Sequence, residues 1–157
     1  MKLSDLLAPE RIRIPLQSTT KDEVLRELVS ILPGPADSEE REGILEAVLE
    51  RESRMSTGIG QGVAIPHGKT ASVPGMEMTF GIAPRPIQYD ALDGDPVGIF
   101  FLLLSPPDLT GPHIQTLARI SRLLSSDTFR DELGAAQGPE DVLALFRREE
   151  SLEGEEE

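Results

Sequence analysis

The chain has 157 residues and a formal net charge of −13, with 28 acidic residues against 15 basic ones. This charge argues against a protein that binds nucleic acid or an anionic membrane, because no basic patch offsets it. It contains no cysteine, which excludes disulfides, thiolate metal sites and cysteine nucleophiles and favours a cytoplasmic location. The sequence shows no signal peptide and no apolar run approaching the ~18 residues of a membrane span, so we expect no direct membrane insertion.

The first third of the chain predicts a strand and two helices. Apolar residues alternate with polar ones over residues 11–16, as in a half-buried strand. Thr20 and Glu23 have the spacing of a capping box ahead of a first helix, and Asp37 opens a second helix that runs to Arg51. The apolar stripes of these helices comprise Val24, Leu25, Leu28, Val29, Leu32, Ile44, Leu45, Val48 and Leu49.

Three apolar runs in the middle of the chain predict strands, at residues 63–65, 76–83 and 97–104. The last run is almost unbroken, which indicates a central strand covered on both faces. Turn-forming residues between the last two runs leave room for a short strand at 87–89 and predict a hairpin-like connection.

The C-terminal part of the chain predicts three helices. Gly111 is expected to cap the first, with Pro112 at its first position, a place that suits proline. The other two helices are expected over residues 128–135 and 140–148. The inner face of the first is expected to carry Ile114, Leu117, Ile120 and Leu124.

This order of elements predicts a single α/β domain over residues 1–149. Helices before, between and after the strands imply a mixed sheet of about five strands sandwiched between helices on both faces. Residues 150–157 are rich in glutamate and are expected to form an acidic, disordered tail. The oligomeric state does not follow from these patterns.

A glycine-rich turn leads into one of the two histidines of the chain. Residues 56–69 run S-T-G-I-G-Q-G-V-A-I-P-H-G-K, which places His67 after an apolar strand and a proline. A histidine after a strand is often structural, but the nearby hydroxyls and backbone N–H groups favour an imidazole nucleophile that accepts a phosphoryl group. Arg51 and Arg54 are candidates for contacting that group. The expected phosphate-binding residues of the turn are Ser56, Thr57, Gly58, Gly60 and Gly62.

The turn does not match the familiar nucleotide-binding motifs. Its glycines follow G-x-G-x-G instead of G-x-G-x-x-G, and they precede a strand instead of opening a helix. The tripeptide G-K-T at 68–70 resembles the end of a P-loop, but Val63 stands where that motif has its first glycine. Phosphate chemistry without a nucleotide or another cofactor is the remaining hypothesis.

The second histidine, His113, is expected in the first turn of a helix, where the helix dipole favours an anion. It also falls on the apolar stripe that contains Leu117 and Ile120. Two interpretations stay open: a core histidine, or a ring that contacts a phosphate carried by His67. A metal site built from both histidines is disfavoured, because neither lies in a short metal-ligand repeat.

Residues 51–69, R-E-S-R-M-S-T-G-I-G-Q-G-V-A-I-P-H-G-K, resemble the active-site signature of enzyme IIA domains of the fructose/mannitol class. These domains belong to the bacterial phosphoenolpyruvate-dependent phosphotransferase system, and the class includes nitrogen-regulatory members. The resemblance continues through A-L-D-G at 91–94, the apolar strand at 100–104 and L-A-R-I-S-R-L-L at 117–124. It covers nearly the whole chain and implies a mixed sheet between helices.

The resemblance also implies roles for three residues. His67 matches the phosphorylated histidine, Arg51 the phosphate-contacting arginine and His113 the second active-site histidine, whereas Arg54 has no counterpart. A histidine phosphocarrier protein would be the donor, and an enzyme IIB in sugar uptake the acceptor. Alternatively, the phosphorylation state would gate binding to a transporter or sensor kinase. The chain carries no attached permease or enzyme IIB segment, so we expect it to meet its partners in solution.

Overall fold

The computed structural model describes residues 2–35 and 37–156. The helices are α1 (Leu3–Leu6), α2 (Lys21–Ser30), α3 (Glu39–Arg54), α4 (Thr110–Leu123), α5 (Asp127–Gly134) and α6 (Pro139–Glu156). The strands are β1 (Ile12–Arg13), β2 (Gly58–Gly60), β3 (Val63–Ala64), β4 (His67–Lys69), β5 (Glu77–Ile87) and β6 (Val97–Ser105). No helix in this part of the chain is both long enough and apolar enough to cross a bilayer.

The strands form one mixed sheet in the order β1-β5-β6-β3-β2, which confirms the predicted fold class. β5 and β6 are antiparallel, as the hairpin-like connection required, whereas β1 runs parallel to β5. The short strand expected at 87–89 is partly absorbed into β5, which extends to Ile87. The described sheet has six strands because it also contains β2 and β4, which the sequence did not predict; β2 pairs with β3, and β4 pairs with β6.

Helices cover both faces of the sheet, and β6 supplies side chains to each. Phe101 and Leu103 point into a core formed with α1, α4, α5 and α6. Leu102 and Leu104 point the other way, into a core formed with α2 and α3. All four are fully buried, and burial of each such side chain contributes about 1.5–3 kcal/mol. The predicted central strand is therefore confirmed.

The two N-terminal helices begin at hydroxyl caps. The Thr20 hydroxyl accepts a hydrogen bond from the Glu23 N–H at 3.2 Å, and the Glu23 carboxylate accepts one from the Thr20 N–H, which confirms the capping box. The expected cap of α3 at Asp37 is wrong by one residue, because the Ser38 hydroxyl accepts from the Arg41 N–H. α3 continues past Arg51 to Arg54, so Arg51 lies in its last turn.

The start and the inner face of α4 differ from expectation. The helix begins at Thr110 with Leu109 at the cap position, which places Gly111 and Pro112 inside the first turn. Ile114 is 59% exposed, so its assignment to the inner face is wrong. The buried stripe instead contains His113 and Ile120, positions i and i+7 on one helical face.

The acidic C-terminal end continues α6 instead of leaving the domain as a tail at residue 150. The Glu150 side chain is only 4% exposed, and its carboxylate accepts hydrogen bonds from the N–H groups of Leu3 (2.5 Å) and Ser4 (2.9 Å). The prediction of disorder is wrong at Glu150, because a carboxylate can cap the start of α1. Residue 157 lies outside the described residues.

Candidate functional site

The sheet register places His67 on the face that α4 covers. β3 and β4 both run parallel to β6 along the same edge, and between them the Pro66 carbonyl accepts a hydrogen bond from the Leu103 N–H at 3.0 Å. His67 is then opposite Leu103, and Lys69 opposite Ser105. Since alternate residues of a strand share a face, His67, Lys69 and Ser105 lie on the side of α4.

The His67 ring is oriented by its own backbone. Its Nδ1 lies 2.9 Å from the carbonyl oxygen of Ile65. A carbonyl can only accept, so Nδ1 carries the proton and donates. The neutral ring therefore has its lone pair on Nε2, and that nitrogen is the one able to act as a nucleophile.

His113 approaches His67 from α4. The ring centroids are 5.5 Å apart and the ring planes are inclined at 62°. The Nδ1 of His113 lies 2.6 Å from the Ser105 hydroxyl oxygen. Its Nε2 is buried and has no hydrogen-bond partner among the described residues, an unusual condition for a polar atom in a folded protein. The structure thus brings together the two histidines singled out in the sequence.

Positive charge surrounds the histidines, although the chain as a whole is strongly acidic. A cavity of about 400 Å³ between α3, β4 and α4 is lined by Arg51, Arg54 and Lys69 as well as both histidines. Its acidic lining residue, Glu50, is bound by Arg54 at 2.6 and 2.9 Å. The local charge is therefore suited to an anion.

Two of these cations are anchored by neutral oxygens. Arg51 donates from Nη1 to the Met55 carbonyl at 2.9 Å, which closes the last turn of α3. Lys69 donates from Nζ to the Thr110 hydroxyl at 3.2 Å, at the start of α4. Neither of these contacts neutralises the cation, so both retain their charge for a ligand.

Both histidines are held neutral. Burial lowers the pKa of His67, and the charges of Arg51 and Lys69 lower it further, while the Ile65 carbonyl and the Glu52 carboxylate oppose them. Burial, together with the nearby His67 and Lys69, lowers the pKa of His113 from 6.5 to about 4. At neutral pH each ring therefore offers one lone pair and one N–H.

A buried carboxylate supports the site from behind. Glu52 accepts from the Thr57 N–H (2.9 Å) and hydroxyl (2.5 Å) and pairs with Lys21 at 3.0 Å. The Thr57 carbonyl in turn accepts from the Ile65 N–H at 3.0 Å. This chain of contacts holds the Ile65 carbonyl that orients His67, which gives Glu52 a structural role that the sequence did not indicate.

The glycine turn lies outside the lining of this cavity. Ser56, Thr57, Gly58, Gly60 and Gly62 contribute no lining residue to the cavity. Gly60 and Gly62 have positive φ angles of 99° and 81°, which favour glycine. At Gly58 an added Cβ would lie 2.7 Å from the Cβ of Ala91. These contacts give the turn a structural role, packing against residues 89–93; phosphate binding by the turn stays a prediction.

The sequence did not single out Lys69, Ser105 or Glu52 as functional. Lys69 could have been found from its i+2 spacing to His67, since both then share one face of a strand. Ser105 is a polar residue at the end of an otherwise apolar central strand, which is a weaker signal. Within residues 2–35 and 37–156, no group of three or more His, Cys, Asp or Glu residues is arranged to hold a metal ion.

Residues 5–149 match the family model described as "Phosphoenolpyruvate-dependent sugar phosphotransferase system, EIIA 2". A nitrogen regulatory protein of Bradyrhizobium diazoefficiens is 40% identical over 151 residues, covering 92% of this chain and 96% of the relative. The fructose-specific EIIABC component of Bacillus subtilis is 34% identical over 148 residues, covering 94% of this chain. The match covers only 23% of that relative, so this chain spans about a quarter of its length.

A solved structure shows the same fold. The crystal structure of the nitrogen regulatory protein IIA-Ntr from Neisseria meningitidis superposes with a TM-score of 0.85 at 31% identity. The superposition covers 92% of this chain and 98% of that one.

Proposed function

Because the chain belongs to the EIIA 2 family of the phosphoenolpyruvate-dependent sugar phosphotransferase system, we propose that it is a cytoplasmic phosphocarrier in which His67 takes up the phosphoryl group. The observation that carries this assignment is the hydrogen bond from Nδ1 to the Ile65 carbonyl, which leaves a lone pair on Nε2 of a neutral ring. The cationic cavity beside that ring suits a phosphoryl group.

The transfer needs no proton movement at His67. The Nε2 lone pair attacks the phosphorus of a phosphohistidine donor in line, so one N–P bond forms as the other breaks. The electron pair of the broken bond returns to the donor's ring nitrogen. His67 keeps its Nδ1 proton throughout, and the Ile65 carbonyl stabilises the positive charge that develops on the phosphorylated ring.

Charged and polar groups around His67 stabilise the transferred group. Arg51 and Lys69 line the cavity and offset the negative charge of the phosphoryl oxygens. His113 presents a buried Nε2 that has no other partner among the described residues. We assign Arg51 and His113 direct contact with the phosphoryl group, as the family resemblance implies, and add Lys69 from the structure.

The donor in this proposal is a histidine phosphocarrier protein and the acceptor an enzyme IIB. The fructose-specific relative supports this acceptor, since its designation EIIABC joins a IIA region to B and C components. The exposed Ile114, at the edge of the cavity, offers a partner an apolar contact beside the reacting histidine.

A regulatory role is the second candidate, and one observation favours it. The Bradyrhizobium nitrogen regulatory protein matches this chain over 96% of its own length at 40% identity, against 34% identity for the fructose-specific relative. In this role, phosphorylation of His67 would add about two negative charges to the cavity and so gate binding to a transporter or sensor kinase.

Phosphate labelling tests the proposal. The chain is incubated with enzyme I, a histidine phosphocarrier protein and labelled phosphoenolpyruvate, alongside a His67→Ala variant. We expect acid-labile label in the parent and none in the variant; equal labelling of both would overturn the assignment of His67.

Transfer of the label onward to a purified enzyme IIB would support sugar uptake. A transporter or kinase that binds parent and His67→Glu differently, without such transfer, would support regulation.

A further inference from the structure

Ser105 is the last residue of β6 and contacts His113. Its side chain is fully buried, and its hydroxyl oxygen lies 2.6 Å from His113 Nδ1, which itself belongs to a ring only 2% exposed. Its register opposite Lys69 places it on the same face of the sheet as His67. The contact therefore holds the ring that packs edge to face against His67.

The hydroxyl can act in two ways, with opposite consequences for His113. If Ser105 accepts, the proton is on Nδ1 and Nε2 carries a lone pair. If Ser105 donates, Nδ1 carries the lone pair and Nε2 carries the proton. A lone pair on Nε2 would repel a phosphoryl oxygen on His67, whereas an N–H there would donate a charge-assisted hydrogen bond to it.

We propose that Ser105 is a positioning residue that donates its hydroxyl proton to His113 Nδ1 and thereby holds His113 in the Nε2–H tautomer, ready to donate to the phosphoryl group. This inference rests on the proposed role of His67. The two histidines then have opposite tautomers: the Ile65 carbonyl selects Nδ1–H in His67, and the Ser105 hydroxyl selects Nε2–H in His113. One ring thus presents a lone pair to phosphorus while the other presents a proton to oxygen.

The arrangement is set before the phosphoryl group arrives. Because Ser105 and His113 are both buried, water does not compete for the Nδ1 contact. A donor fixed in advance stabilises developing charge without reorganisation during transfer. The buried Nε2, which has no partner within residues 2–35 and 37–156, is then explained as a donor reserved for the phosphoryl oxygen.

The tautomer can be measured directly in the unphosphorylated parent by two-bond ¹H–¹⁵N correlation spectra of the imidazole rings. We expect the Nε2–H pattern for His113 and the Nδ1–H pattern for His67. In Ser105→Ala we expect His113 to become a mixture of tautomers. An Nδ1–H pattern for His113 in the parent would overturn the proposal, and this result requires no variant to fold and no phosphoryl transfer.

Transfer rates supply the second readout. We expect Ser105→Ala to slow phosphorylation of His67 about 10-fold, the effect of weakening one hydrogen bond to a charged group, and Ser105→Thr to restore both rate and tautomer. Thr79→Val is the matched control, because Thr79 is equally buried on β5 and its hydroxyl donates to the Leu28 carbonyl, away from the cavity.

A parental rate in Ser105→Ala, or equal slowing in Thr79→Val, would overturn the role of Ser105 while leaving His67 as the phosphorylated residue. If the parent takes up no label, the proposed function itself is wrong, and the His113 tautomer then has no phosphoryl group to bind.

Discussion

The rings of His67 and His113 meet edge to face with their centroids 5.5 Å apart, one from a strand and the other from a helix. Two imidazolium ions at this separation would repel each other, and both rings are buried enough to disfavour charge. The pair is therefore stable as two neutral rings. A phosphoryl group on His67 brings negative charge, which an N–H of His113 can accommodate.

Acid should destabilise the fold through His113. Its pKa is about 4 in the folded chain against an ordinary 6.5, so the unfolded chain binds a proton first. Its contribution to stability is complete above pH 6.5 and is lost as the pH falls toward 4. Between pH 7.5 and 5 we expect the parent to lose about 2 kcal/mol more unfolding free energy than His113→Gln. Urea unfolding at several pH values measures this difference; parallel curves for the two proteins would contradict it.

Replacing Arg51 should slow transfer without unfolding the protein. Arg51→Ala removes a charge-assisted contact worth about 1.5–3 kcal/mol, so we expect phosphorylation of His67 to slow by about 10- to 100-fold. Single-turnover labelling gives the rate, and circular dichroism checks the fold. Arg26→Ala removes the same charge from an exposed pair with Asp22 on α2 and should leave the rate unchanged. A parental rate in Arg51→Ala would exclude its contact with the phosphoryl group.

Glu52→Gln should act on His67 and on stability together. The Glu52 carboxylate raises the pKa of His67, so its neutralisation should lower that pKa further. Lys21 and Thr57 lose a charged acceptor, and we expect a loss of about 1–3 kcal/mol in unfolding free energy. NMR titration and urea unfolding measure the two effects. Glu46→Gln changes an exposed acid of the same helix and serves as control; an identical His67 titration in both variants would refute the link.

Gly60→Ala should cost stability but leave His67 phosphorylated. The positive φ of 99° disfavours alanine, and its Cβ would lie 3.1 Å from an Asp93 carboxylate oxygen, so we expect a loss of about 1–3 kcal/mol. Gly75→Ala is the control, because open space surrounds that position. A stable Gly60→Ala that fails to take up phosphate would instead support the turn as a phosphate-binding element.

The sequence predicted correctly those elements whose structure depends on the spacing and type of neighbouring residues. The capping box at Thr20 and the apolar run of β6 depend on spacing and composition, and both are confirmed. At α4 the pattern could not distinguish Ile114 from His113 as the inward residue. Both residues line the cavity beside α4. His113 is buried against Ser105, whereas Ile114 lies at the edge of the cavity and stays exposed.

Long-range contacts explain what the sequence did not predict. Glu150 is buried because the N-terminal N–H groups of Leu3 and Ser4 meet it from the other end of the chain. Ser105 joins the site only through the register of β6 and the position of α4. For the same reason the packing of Gly58 against Ala91 could not be predicted from the local motif of the glycine turn.

Phosphorylation at Nε2 of His67 is tested most directly by locating phosphorus on that imidazole ring. ³¹P–¹⁵N coupling in the phosphorylated, ¹⁵N-histidine-labelled parent distinguishes the two ring nitrogens. The hydrogen bond from Nδ1 to the Ile65 carbonyl predicts coupling to Nε2 of His67, with Nδ1 still protonated. Phosphorus on Nδ1, or on any residue other than His67, would contradict the account.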